Sequence, residues 1–189
     1  MKSAGRARLL KRLRSEAHRA GTFTLASGKT SDFFIDCKQV VLSAEGHALV
    51  GELLLDAIEA YERAGGSERR IAVVAGVALG GCPLASAVAL TSHLRGAPRN
   101  ALYVRKEAKD HGTRSLVEGT AEPGANVALL EDVITTGGST RAALSKLRGH
   151  GLAPRLVVVL VDRREGGAEA LRAEGVDVVS LFSRKDFVR

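Results

Sequence analysis

From Ile71 onward, short aliphatic runs alternate with segments of helix length, and this rhythm limits the fold more than any other feature. The runs are "IAVVAG", "NALYVR", "VALLED", "RLVVVLVD" and "VDVVSLF". Between them lie "PLASAVALTSHLR", with Pro83 in its first turn, then "TRAALSKLRG" and "AEALRAEG". The runs are continuously apolar rather than alternating, so each strand needs cover on both faces. That requirement points to the α/β class, with a Rossmann-like central parallel sheet flanked by helices. A chain of 189 residues suits one domain, 1–189, with an N-terminal helix and hood segment over 1–40 and an α/β core over 41–189. Ligands of such sheets bind beyond the carboxyl ends of the strands, which directs attention to the residues after Gly76, Val104, Asp132 and Val161.

The N-terminal part is less regular. A helix is expected from about Ala4 to Ala20, ended by Gly21, followed by a turn and a short strand around Phe33–Asp36. Ser43 reads as the N-cap of "AEGHALVGELLLDAIEAYERA", in which Gly46 is a mild weakness. With 45% apolar residues but only 4% aromatics and no Trp, the core must be built from Val, Leu, Ile and Ala. No apolar run approaches the roughly 20 residues that cross a bilayer, and the basic start is too sparsely apolar for a secretory signal, so no membrane association is expected. Cys37 and Cys82 have neither metal nor redox spacing, which makes a cytoplasmic, reducing setting the default. The net charge of +7 favours an anionic partner. Stacking aromatics beside the basic residues are missing, which weakens nucleic acid as that partner. A small polyphosphate would be equally attracted, so charge alone does not choose; the expectation drawn from the whole sequence is no nucleic acid.

The stretch "VALLEDVITTGGST" carries the sharpest chemistry. Glu131 and Asp132 stand where the strand leaves the sheet, and adjacent carboxylates there need hydroxyls, a cation or an ion pair. A solvent-facing Glu131 and a turn-starting Asp132 are the plain alternative. The following Thr135, Thr136, Gly137, Gly138, Ser139 and Thr140 gather hydroxyls and unhindered N–H groups at a helix N-terminus, a setting that favours phosphate. No Lys follows the glycines, which excludes the nucleoside-triphosphate loop. Acids before a phosphate cradle suit a phosphorylated sugar, with the carboxylates on the ribose hydroxyls.

"LLEDVITTGGS" closely resembles the phosphoribosyl-diphosphate motif of the type I phosphoribosyltransferases. "RKEAKDHG" is similar to the catalytic loop of the orotate phosphoribosyltransferases within that class, and "FTLASGKTSDFFIDCKQV" and "VDRREGG" resemble further signatures of the same enzymes. The resemblance implies the type I fold with a small N-terminal hood, and transfer of the 5-phosphoribosyl group to orotate. It also implies a homodimer with shared active sites and Mg²⁺ bound mainly through the sugar diphosphate, with no direct protein ligand. By the same resemblance Arg105, Lys106, Lys109 and His111 bind the diphosphate. Glu131, Asp132, Val133, Ile134, Thr135, Thr136, Gly137, Gly138 and Ser139 hold ribose and 5′-phosphate. Thr135, Arg163, Lys29 and Phe34 meet orotate, with Ser27 and Gly28 beside them, and Lys109, His111 and Asp132 take the catalytic roles.

Two positions depart from some relatives. Ala26 and Gly80 stand where those carry lysines, which shifts the burden of diphosphate neutralisation to Lys29, metal and the polar loop. A purine-base transferase of the same fold, or a non-catalytic regulator binding RNA or an effector, are the alternatives. His18, His47, His93 and His150 read as surface or packing residues, Cys82 as a small buried one, and "KLRGHG" and "SRKDFVR" as solvated surface.

Overall fold

A computed structural model describes residues 2–24, 30–107 and 115–188. The core is a six-stranded sheet of order β5-β4-β3-β6-β7-β8, in which β3 is Val73–Val77, β4 Asn100–Val104, β5 Val117–Glu118, β6 Asn126–Ile134, β7 Ala153–Asp162 and β8 Asp177–Ser183. All neighbours pair in parallel except the short β5, which is antiparallel to β4 on the edge. The helices between them are α4 (Gly81–Leu94), α5 (Gly138–Gly149) and α6 (Gly167–Ala173). Ahead of the sheet come α1 (Lys2–Arg12), the hairpin strands β1 (His18–Thr24) and β2 (Thr30–Ile35), α2 (Lys38–Val41) and α3 (Ala44–Gly65).

Strand alternation explains the two-sided core. Ala128 and Leu130 of β6 and Leu156, Val158 and Leu160 of β7 join α1, α3 and α4 in one apolar cluster. Their intervening neighbours Val127, Leu129, Val157 and Val159 join Leu144 and Leu147 of α5 and Leu171 of α6 in a second. Each fully buried Leu or Val in these layers contributes about 1.5–3 kcal/mol relative to exposure.

The strand order turns at β3 and β6. The chain leaves β3 through α4 toward one edge and leaves β6 through α5 toward the other, which opens a crevice at the carboxyl ends of these two strands. Close backbone approach shapes it. A Cβ on Gly76 would lie 2.2 Å from the carbonyl oxygen of Gly81, and one on Gly81 would lie 2.4 Å from that of Leu130. Two glycines thus let the start of α4 rest directly on the ends of β3 and β6.

The N-terminus departs from expectation. Helix α1 stops at Arg12, one wide π turn spans Leu13–Ala17, and β1 begins at His18, before Gly21. Pairing of His18 with Ile35 and of Arg19 with Phe34 overrides the local helical signal, and the His18 ring lies 4.8 Å from Phe33 and 5.6 Å from Phe187. The tail is likewise more than solvated surface: Ser183 and Asp186 form a capping box around a short 3-10 turn, and Phe187 packs on the core. The second hood strand begins at Thr30 and ends at Ile35, and the two-residue β5, Val117–Glu118, adds an edge strand that the five aliphatic runs do not include. Ser43 does cap α3, accepting the Gly46 N–H at 3.1 Å. Gly46 itself is a requirement rather than a weakness, because a Cβ there would fall 2.0 Å from the carbonyl oxygen of Val40.

Candidate active site

The end of β6 carries both acids, and they face different partners. Glu131 is only 5% exposed, and its Oε2 accepts the Thr140 hydroxyl of α5 at 2.9 Å. The reading of a solvent-facing Glu131 is therefore replaced by an inward one, because the strand end is covered by α5. Burial first, then the neighbouring Asp132 charge, push the Glu131 carboxyl up to about 8. Near neutral pH Glu131 thus keeps its proton.

That proton has a measurable consequence. In the unfolded chain Glu131 titrates near 4.5, so the folded state binds an extra proton between that pH and about 8. The resulting stability is fully present below the lower value and is lost as pH rises through the higher one. A Glu131→Gln chain stays neutral throughout, so urea midpoints measured across this window should fall with pH for the wild type more than for the variant. Parallel profiles would refute the buried-proton account.

Asp132 is aimed at the crevice. Its Oδ1 accepts the Val133 N–H at 3.0 Å. A Cβ added to Gly80 would lie 2.3–2.5 Å from its carboxylate atoms, so the carboxylate lies directly against the start of α4. A Lys side chain at position 80 would therefore displace Asp132 or require a different loop. The Ala78–Leu79 peptide bond in this loop is cis. Burial raises the Asp132 carboxyl, while the Val133 N–H and the Lys38 ammonium act against it. The segment from Asp36 to Lys38 reaches the same place: Lys38 Nζ is 2.6 Å from Asp36 Oδ1 and Cys37 Sγ is 3.9 Å from the Asp132 carbonyl oxygen. Lys38 has no role in the motif "FTLASGKTSDFFIDCKQV" as read from sequence; the signal for it is a charged pair directly after a hood strand.

The loop read as a phosphate cradle follows. Gly137 has φ 82° and precedes α5, whose first turn receives no side-chain cap. Gly138 and Ser139 are exposed, and nothing lies within 4 Å of a Cβ built on Gly138. Open N–H groups at the start of a twelve-residue helix are of the kind that can accept an anion. The loop after β7 braces it from behind: the Gly167 N–H donates to the Thr135 carbonyl at 3.0 Å, and the Arg163 N–H donates to that of Ile134 at 3.0 Å.

The remaining candidates divide. Arg163 is 6% exposed, with Nη2 2.8 Å from Glu165 and the guanidinium 5.7 Å from the Phe33 ring centroid. Phe34 is 37% exposed and lies 5.2 Å from the Phe23 ring. Arg105 and Lys106 follow the end of β4, where Arg105 Nη1 is 3.6 Å from Glu118 and its N–H donates to the Leu116 carbonyl at 2.9 Å. Ser27, Gly28, Lys29, Lys109 and His111 lie outside the described residues. Cys82 is buried in α4, as expected.

A parallel sheet with an acid at its switch point and an open helix start beside it agrees with the type I phosphoribosyltransferase fold, and solved structures of that class share it. No family model matches the chain. It is 58% identical over 193 residues, spanning 100% of this chain and 97% of the relative, to the orotate phosphoribosyltransferase of Sorangium cellulosum (strain So ce56). Among solved structures it resembles Mycobacterium tuberculosis H37Rv orotate phosphoribosyltransferase in complex with Fe(III) dicitrate, with a TM-score of 0.81 at 34% identity over 98% of this chain and 99% of that one. It also resembles the same enzyme in complex with 5-phospho-alpha-D-ribosyl 1-diphosphate, with a TM-score of 0.77 at 31% identity over 97% and 98%. The chain belongs to the orotate phosphoribosyltransferase family.

Proposed function

We propose that this protein transfers the 5-phosphoribosyl group from 5-phosphoribosyl 1-diphosphate to N1 of orotate, yielding orotidine 5′-phosphate and diphosphate in pyrimidine nucleotide synthesis. The observation that carries the reading is the meeting, at one switch point, of the Asp132 carboxylate and the open N–H groups of α5. The N–H groups and hydroxyls from Thr135 to Ser139 take the 5′-phosphate, leaving the ribose against Asp132. As the bond from the anomeric carbon to the diphosphate oxygen breaks, its electron pair leaves with the diphosphate and positive charge spreads over the ribose ring. Asp132 opposes that charge, and its field strengthens as water is excluded. The ring nitrogen of orotate, having lost its proton, supplies the pair for the new bond. Glu131, tied to Thr140, holds the strand end rigid.

Arg105 and Lys106 neutralise the leaving diphosphate, joined by Lys109 and His111, either of which supplies its proton. Arg163 exchanges Glu165 for the orotate carboxylate, a charge-assisted pairing suited to a guanidinium, with Phe34, Thr135 and Lys29 around the ring. Mg²⁺ fits this donor set. Among the described residues no cluster of three or more His, Cys, Asp or Glu side chains could hold a metal, and Asp132 offers one hard oxygen ligand. That suits an ion held chiefly by phosphate oxygens, which keeps several waters. Bound with the sugar diphosphate, it would supply charge neutralisation at the leaving group.

Hood and core act as one domain in this reading, and the protein works as a homodimer. Leu90 and Leu94 of α4 are 57% and 76% exposed on the same helix face as Ser86, which hydrogen-bonds Tyr103 of β4. Such an apolar face suits a second copy; a light-scattering mass of one chain at assay concentration would remove the dimer. Two buried, unpaired thiols suit the cytoplasm, and among the described residues no helix is long and apolar enough to cross a membrane.

The assay follows loss of orotate absorbance with donor and Mg²⁺, beside adenine, guanine and xanthine. Consumption of orotate alone is expected. Turnover of a purine instead, or salt-dependent RNA binding without donor consumption, would overturn the assignment.

A further inference from the structure

Lys146 sits in the third turn of α5, about 12 Å along the axis from the start of that helix at the phosphate cradle. Its ammonium donates to two backbone carbonyls of another element, that of Arg105 at 2.9 Å and that of Lys106 at 2.7 Å. A lysine near a helix C-terminus ordinarily serves its own helix's last carbonyls. Here those are served by the backbone: the His150 N–H bonds Lys146 and Leu147, the Gly151 N–H bonds Arg148, and the Leu152 N–H bonds Leu147. The ammonium is therefore committed across a gap of some 40 residues in sequence.

The residues it grips already have one fixed end. The Arg105 N–H donates to the Leu116 carbonyl at 2.9 Å, so Arg105 is held by both its N–H and its C=O. With Lys146 on the next carbonyl as well, the backbone that carries the Arg105 and Lys106 side chains is set relative to α5, and so relative to the 5′-phosphate cradle at that helix's other end.

We propose that Lys146 is a positioning residue for diphosphate binding: it fixes the distance between the 5′-phosphate cradle and the Arg105–Lys106 cations through one rigid helix. The inference rests on the reading that Arg105 and Lys106 meet the diphosphate. Lys146 touches neither substrate in this account. It acts by holding two carbonyls, and since Arg105 is half-buried and Lys106 exposed, water can satisfy those carbonyls when the ammonium is removed. Loss of Lys146 therefore disturbs position rather than folding.

The test compares Lys146→Met and Lys146→Arg with the wild type, by calorimetric titration with inorganic diphosphate in Mg²⁺ buffer and by steady-state kinetics with both substrates. For Lys146→Met, diphosphate affinity should fall about tenfold and KM for the sugar diphosphate rise about tenfold, the scale of one lost charge-assisted hydrogen bond. KM for orotate and the melting temperature should stay at wild-type values, and Lys146→Arg, which can still reach two carbonyls, should recover most of the loss. Wild-type diphosphate affinity in Lys146→Met would overturn the proposal, as would a parallel rise of both KM values with a lowered melting temperature. A wild type that neither binds diphosphate nor turns over orotate would fell the functional reading and this inference with it. Normal wild-type behaviour beside an unaffected Lys146→Met would fell the inference alone.

Discussion

Asp132→Asn should lower kcat/KM for the sugar diphosphate by about 100-fold or more, the range lost when one preorganised charge-stabilising group is removed. The substitution keeps shape and volume, and the amide oxygen can still accept the Val133 N–H that now bonds Oδ1. On the proposed reading, what disappears is the negative charge beside the ribose, which matters most when the ring becomes cationic. Thermal stability should hold or rise, because the folded state already disfavours the ionised Asp132 through burial. A loss confined to catalysis separates this role from a structural one. Activity within threefold of the wild type would remove Asp132 from the mechanism.

Gly167→Ala should produce the second large effect. A Cβ there would lie 2.4 Å from the Thr135 carbonyl oxygen and 2.8 Å from the Gly137 nitrogen. Both are backbone atoms of the loop ahead of α5, the proposed phosphate cradle, so no side-chain rotation relieves the contact. Either the loop after β7 withdraws and breaks the Gly167–Thr135 hydrogen bond, or the cradle moves. Overpacking of this kind costs about 1–3 kcal/mol in stability, and a cradle displaced by an ångström should raise KM for the sugar diphosphate about 10- to 100-fold. Denaturant unfolding and donor kinetics on one preparation check both halves. Wild-type stability and KM together would show that the two loops are not coupled as the geometry requires.

The sheet was readable because its strands are buried on both faces, so "VALLED" and "RLVVVLVD" are continuous aliphatic runs that only a covered parallel sheet accommodates. The hood was not, because β1 forms where pairing of His18, Arg19 and Ala20 with Ile35, Phe34 and Phe33 of β2 outweighs a helical signal that local sequence cannot discount. Of the site, the open start of α5 was legible, since a run of hydroxyls and glycines ahead of a helix leaves its first N–H groups uncovered. Its contacts were not. Gly80 looked like a missing lysine, yet it gives room to the Asp132 carboxylate. Glu131 looked like the equal partner of Asp132, yet α5 covers it and Thr140 holds it. "KLRGHG" looked like bare surface, while Leu147 is buried and Lys146 spans to a distant loop. Each depends on which residues tertiary packing brings face to face.

The most direct test is diffraction from crystals of this protein soaked with 5-phosphoribosyl 1-diphosphate and Mg²⁺. The account places the 5′-phosphate on the N–H groups from Thr136 to Ser139, the ribose hydroxyls against the Asp132 carboxylate, and the diphosphate toward Arg105 and Lys106. Density for the sugar at another site, or an Asp132 that makes no contact with the ribose, would contradict it.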